Sequence, residues 1–191
     1  MRTDKKLVAA AAALLDSGGE SAVTLRAVAS AVGVSHNAPY KHFNGRSALL
    51  AAVAIDDFAK MTEAFSAIRR SRSKPMSKLK KALAAFVEYG QAYPARYKLL
   101  FSDATLSQHG DGLEEAAMEP FQEFAAIVEE CQTSRLLPEI PNVALTGLLF
   151  ASVHGVIDLA AGGRMRREKG LSSVGESVDL LLELLSRGAG K

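Results

Sequence analysis

Apolar residues recur every three or four positions along most of the chain, the spacing of helices that bury one face. Leu7, Ala11, Leu14 and Leu15 predict a first helix over residues 4–16, closed by Gly18-Gly19. Leu25, Val28, Ala29 and Val32 share one face of a second. A long helix follows the Asn44-Gly45 turn, over about residues 47–68, through Leu49, Leu50, Val53, Ile55, Phe58, Met61 and Phe65. The pattern restarts near Met76 with Leu79, Leu83, Phe86, Val87 and Gly90, up to Tyr93-Pro94. A short helix over 95–101 and a polar loop over 102–112 come next. Residues 113–136 form a long helix, acidic outside and apolar inside, in which Pro120 marks a bend or a break. Asn142 caps a strongly apolar helix that ends near Ala161 at Gly162-Gly163. Val174, Val178, Leu181, Leu182 and Leu185 stripe the last one, over 172–186. Alanine and leucine dominate and long β-branched runs are absent, so the predicted fold class is all-α.

Residues 23–43, VTLRAVASAVGVSHNAPYKHF, read as two short helices joined by a tight turn. Thr24 is the first N-cap, Gly33 the stop, and Ser35 a second N-cap two residues later. So short a connection forces a steep crossing, as in a helix-turn-helix, with the small Ala29 at the contact. The second helix offers His36, Asn37, Ala38, Tyr40, Lys41 and His42, while Phe43 supplies an apolar anchor. Donors with little acid suit the major groove, whose base edges offer acceptors, and a helix N-terminus suits phosphate. Pro39 removes an N–H inside the first turn, so an irregular start is expected there. Arg46 can reach a phosphate beside the hairpin. On spacing alone the segment remains open to reading as an ordinary surface hairpin.

Charge sharpens the picture. The first hundred residues carry 16 Lys/Arg against 7 Asp/Glu, and the remainder 7 against 14. The N-terminal half therefore has the electrostatic footprint of a polyanion binder. Residues 69–81, RRSRSKPMSKLKK, hold seven cations and no acid; they read as a solvated face, an auxiliary phosphate contact or a hinge. The single cysteine, Cys131, rules out an internal disulfide and fits a reducing cytoplasm. The apolar run at residues 8–15 is too short for a signal or membrane helix, so a cytoplasmic protein without a membrane partner is expected.

The stretch TLRAVASAVGVSHNAPYKHFNGRSALL, preceded by a helix, resembles the N-terminal domain of the tetracycline-repressor (TetR-like) transcriptional regulators. The marks are Leu25-x-x-Val28-Ala29, Gly33-Val34-Ser35, Tyr40-x-His42-Phe43, and Arg46 before Leu49-Leu50, where the family more often has lysine. Tyr93-Pro94-Ala95-Arg96-Tyr97, Leu99-Leu100-Phe101 and Val153-His154-Gly155 are similar to the branch named for a Trp-His-Gly motif, although the chain contains no tryptophan. The resemblance implies a helix-turn-helix DNA-binding domain over residues 1–50 and a helical ligand-binding and dimerisation domain over 51–191. It implies a ligand-responsive regulator, in the first instance a repressor, that binds a palindrome of double-stranded DNA as a homodimer. Thr24, Arg26, Ser35, Tyr40, His42 and Arg46 would meet phosphates; His36, Asn37, Ala38 and Lys41 would face base edges.

The last two helices are the expected dimer interface, through Leu145, Leu148, Leu149, Ser152 and Val156 with Leu181, Leu182 and Leu185, four helices in all. Gly155 allows close approach. Phe86, Tyr89, Tyr93, Tyr97, Phe101, Phe121, Phe124 and His154 either line a cavity for a hydrophobic effector or fill a solid core. His154 is open to a packing role as well. A regulator of the same fold without a ligand is the alternative. No enzyme is indicated: the four histidines and Cys131 are scattered, without metal-ligand spacing, and there is neither a phosphate-binding glycine loop nor a nucleophile elbow. No cofactor is expected.

Overall fold

A computed structural model describes residues 2–102 and 112–189. Among them are eight α-helices and no strand. They are α1 (Thr3–Gly18), α2 (Leu25–Val32), α3 (Arg46–Arg70), α4 (Pro75–Ala92), α5 (Pro94–Ser102), α6 (Leu113–Thr133), α7 (Asn142–Ala161) and α8 (Val174–Arg187). The loop expected over 102–112 lies, apart from its two end residues, outside the described residues, as does His109. Pro120 does not break α6.

Packing groups the chain into two compact units, one of Met1–Lys60 with Tyr93–Glu119, the other of Met61–Ala92 with Pro120–Lys191. In the first, Leu7, Ala11 and Leu15 of α1 share a core with Val28, Leu49, Leu50, Val53 and Phe58. Leu99 of α5 and Leu113 of α6 complete that core, so α5 is built into the head. Charge fixes it there as well. Arg96 grips the Asp16 carboxylate with two nitrogens, one at 2.8 Å, and donates to Asp57 at 3.3 Å. Asp57 is only 2% exposed, and Lys60 lies 3.3 Å from the same oxygen. A two-nitrogen guanidinium–carboxylate contact sets direction as well as strength.

In the second unit α4, α7 and α8 pack on one another around Leu79, Leu83, Leu145, Leu149, Val153, Ile157 and Leu182. Ser173 caps α8 through a full capping box with Glu176. At α7 the expected cap is corrected. The N-cap is Pro141, and Asn142 is the first helical residue. Its amide points elsewhere, donating to the Ala125 carbonyl and to Gln132, each at 3.2 Å. The basic stretch at 69–81 is partly neutralised inside this unit: Arg69 pairs with Glu123 at 2.6 Å, Lys78 with Glu130 at 2.7 Å and Lys80 with Asp179 at 3.4 Å.

Candidate nucleic-acid interface

α2 begins as the sequence dictates. Thr24 Oγ1 accepts the Ala27 N–H at 3.1 Å, and Leu25, Val28 and Ala29 turn inward. Gly33 ends it at φ 73°, a conformation cheap only without a Cβ. The Gly33 and Val34 amides close the last turn on Ser30 and Ala29.

Beyond Gly33 the chain departs from the expected second α-helix. Residues 36–38 form a turn and Pro39–Lys41 a single 3-10 turn. The reason is Pro39, which has no N–H to donate four residues back to Ser35. The chain tightens to three-residue spacing instead: Ala38 donates to Ser35 O at 2.9 Å, Lys41 to Ala38 O at 3.2 Å and His42 to Pro39 O at 3.0 Å. The cap of this turn is Ala38, without a side-chain bond, and not Ser35.

Irregular backbone does not mean loose side chains. Pro39 is buried and Phe43 half-buried, so the segment is pinned from beneath at two points. Around these anchors Ser35, His36, Asn37, Lys41 and His42 are exposed, with Ala38 half-buried. Tyr40 is 64% exposed, so it does not pack into the head. Thr24 and Arg26 are exposed too. No carboxylate occurs between residues 21 and 55, so this face is polar, cationic and donor-rich.

Arg46 is placed differently from a free phosphate finger. Its Nε donates to Val23 O at 2.7 Å, and its Nη2 to Glu20 O at 2.5 Å and Glu20 Oε1 at 3.0 Å. It clasps the start of α3 to the loop before α2.

Comparison with known proteins settles what this surface belongs to. Residues 7–53 match the family described as bacterial regulatory proteins, tetR family, and residues 79–185 match the tetracyclin repressor-like C-terminal domain. The chain belongs to the TetR family of transcriptional regulators. As a TetR-family protein it is a DNA-binding regulator rather than an enzyme. The description of the C-terminal match does not name the Trp-His-Gly branch.

Similar solved structures agree on the fold. A protein of unknown function from Rhodococcus sp. RHA1 is 26% identical at a TM-score of 0.84, covering 100% of this chain and 97% of that one. FadR from Bacillus subtilis, in complex with stearoyl-CoA, is 13% identical at 0.73, covering 96% and 98%. SmeT, the repressor of the Stenotrophomonas maltophilia efflux pump SmeDEF, is 17% identical at 0.67, covering 97% and 89%. No curated protein matches in sequence.

The expected effector residues divide between the units. Tyr93, Tyr97 and Phe101 belong to the first, where Phe101 meets Phe58 edge-on at 5.8 Å and Tyr97 at 5.2 Å. Phe86, Tyr89, Phe121, Phe124 and His154 belong to the second. There His154 lies 4.9 Å from the Phe86 ring and 4.1 Å from Phe150, which meets Phe121 at 5.7 Å. Phe150 is the residue that sequence reasoning missed; its four-residue spacing from His154 was the available signal. Burial pushes His154 down from 6.5 to about 4, against an opposite pull from Asp158, so its imidazole is neutral near pH 7. Cys131 is fully buried and burial pushes its thiol up to about 11, the reverse of an activated nucleophile.

The dimer residues also need sorting. Leu145, Leu149 and Leu182 lie within the core of their own unit, at 0, 0 and 2% exposure, and present nothing to a second chain. α7 is apolar nearly all round, with Asp158 its single charge, so one stripe packs on α4 and α8 while another is left outside. The outer stripe is Ala144, Leu148, Ala151, Gly155 and Leu159, with Ser152 and Val156 half-buried beside it. On α8, Leu180 and Leu184 are about half exposed, and Leu181 and Leu185 half-buried.

Proposed function

We propose that this regulator is a ligand-responsive repressor that binds a palindromic operator as a homodimer, with residues 1–50 reading DNA and 51–191 holding effector and partner. The observation that carries the DNA reading is the acid-free face at residues 35–42, held out by the buried Pro39. Thr24, Arg26, Ser35, Tyr40 and His42 meet phosphates in this reading, and His36, Asn37, Ala38 and Lys41 face the bases. Asn37 can pair with adenine through two bonds, and the Ala38 methyl can meet a thymine methyl. Thr24 uses its oxygen as a cap yet keeps its hydroxyl proton to donate. Arg46 acts chiefly by fixing the head, since its Nε and Nη2 are already engaged. Selection of bound duplexes from a random pool tests the whole reading; failure to enrich any palindrome would overturn it.

The partner follows from α7. This helix is long and apolar enough to cross a membrane by length and composition, yet only 28% of that stretch is buried. A second copy of the chain is the proposed cover. Added Cβ atoms at Gly147 and Gly155 would meet nothing within 4 Å, so the described fold does not require glycine there. Each such glycine costs a helix about 1 kcal/mol against alanine. Close approach of a second helix accounts for both.

For the effector, the aromatic group around Phe86, Phe121, Phe150 and His154 supports a hydrophobic molecule, and FadR's stearoyl-CoA names one class to try. The close ring contacts also favour a second reading, a filled core and a regulator that needs no ligand. Release of operator by a panel of acyl-CoAs and aromatic metabolites separates the two. A cytoplasmic location belongs to the same proposal.

A further inference from the structure

Beyond the operator surface and the aromatic cluster, the second unit carries an open cavity of about 500 Å³ whose lining includes Met76, Lys80, Arg135, Leu136 and Leu182. That volume is within the range of small-molecule sites. Its apolar lining is Met76, Leu136 and Leu182. The lining also holds Ser186 and two carboxylates, and both carboxylates are answered already, Asp179 by Lys80 at 3.4 Å and Glu183 by Arg187 at 2.5 Å. The Arg135 guanidinium is different. It makes no hydrogen bond or ion pair among the described residues.

The backbone makes Arg135 more telling. α6 ends in a Schellman pattern, with the Arg135 amide on Gln132 O at 2.8 Å and the Leu136 amide on Cys131 O at 2.9 Å. The residue at this place takes the left-handed conformation, where glycine is the usual occupant. Arg135 sits there at φ 55°, the one non-glycine residue with positive φ among those described. The fold would accept glycine more cheaply, so the side chain has a use that the fold does not supply.

We propose that this cavity binds a single-chain organic carboxylate, its apolar tail on Met76, Leu136 and Leu182 and its head gripped by Arg135. A planar guanidinium and a planar carboxylate match through two parallel bonds. The site is distinct from the aromatic cluster and does not depend on the operator reading.

The test uses the full chain with its methionine methyls labelled for NMR, the Met76 signal assigned with Met76→Leu. Dodecanoate, below its micellar concentration, is the probe; dodecanol and acetate supply the tail alone and the head alone. Dodecanoate should shift the Met76 methyl saturably, and the two controls should not at the same concentrations. Arg135→Gly should weaken dodecanoate by about tenfold or more while leaving the thermal midpoint unchanged or raised by up to about 4 °C. Arg135→Lys should retain part of the affinity. No shift at Met76, equal binding by Arg135→Gly, or a shift confined to the cluster around Phe86 and His154 would each overturn the proposal. So would a fall in the midpoint of Arg135→Gly that parallels its loss of binding, since the arginine would then be holding the fold.

Discussion

The turn at residues 35–42 and the outer stripe of α7 both face solvent, but at different cost. The first shows water hydroxyls, an amide, imidazoles and one lysine ammonium, all of which water solvates well. The second shows it Leu148 and Leu159 on α7, joined by Leu180 and Leu184 on α8. The first can stand unoccupied indefinitely, and its partner is selected by charge and hydrogen-bond pattern. The second gains free energy from any apolar cover, at roughly 25 cal/mol per Å², so shape has to make it selective. Glycines in open space on α7 supply such a shape. One surface therefore favours exchange of partners, the other permanence.

That contrast can be broken most severely at the apolar side. Leu148→Glu with Leu184→Glu removes four leucines from a dimer, each worth about 1.5–3 kcal/mol when buried. Sedimentation should then show a folded monomer at micromolar concentration. Gly155→Leu should act the same way without disturbing the protomer's thermal melt, because the added side chain has room there. On the polar side, Tyr40→Ala should weaken binding to every duplex alike, by roughly 1.5–3 kcal/mol, the range of a hydrogen bond to a charged group. Asn37→Ala should cost about 1–3 kcal/mol at one base pair only. Anisotropy titrations on operator and scrambled DNA distinguish the two, and an equal loss on both for Asn37→Ala would remove it from base reading.

His154 supplies a pH-dependent effect. Its folded value of about 4 lies below the ordinary 6.5, so the unfolded chain takes up the proton first. Stability should therefore fall as pH drops from about 6.5 to 4 and should not depend on this group above that window. His154→Phe should flatten that slope in urea midpoints compared with the native chain. The smallest change is Thr24→Ala, which removes one cap bond and should cost about 1 kcal/mol in chemical denaturation.

Helix positions were legible because burial leaves a three-to-four-residue rhythm, and the Thr24 cap and the Gly33 stop are written in residue types that favour those places. The turn after Gly33 was half legible. Pro39 announced the irregularity, but nothing local says that it sinks into the head and turns a helix into three-residue spacing. The place of α5 was not legible at all, since Arg96 finds Asp16 and Asp57 at 80 and 39 residues' separation. For α7 the hydrophobic pattern failed for a definite reason. A helix apolar all round gives no phase, so Leu145 and Leu148 look equivalent until packing chooses between them. The αL arginine carried no sequence signal, because only the backbone shows that it stands where glycine would be easier.

Fastening the 35–42 segment through Pro39 and Phe43 leaves its outward letters free to drift. Mutations at His36, Asn37 or Lys41 need not disturb any buried neighbour, so if these residues read bases as proposed, an ancestral lineage could swap targets while keeping its scaffold. A designer could exploit the same latitude, randomising those three positions in a library and expecting most clones to stay folded.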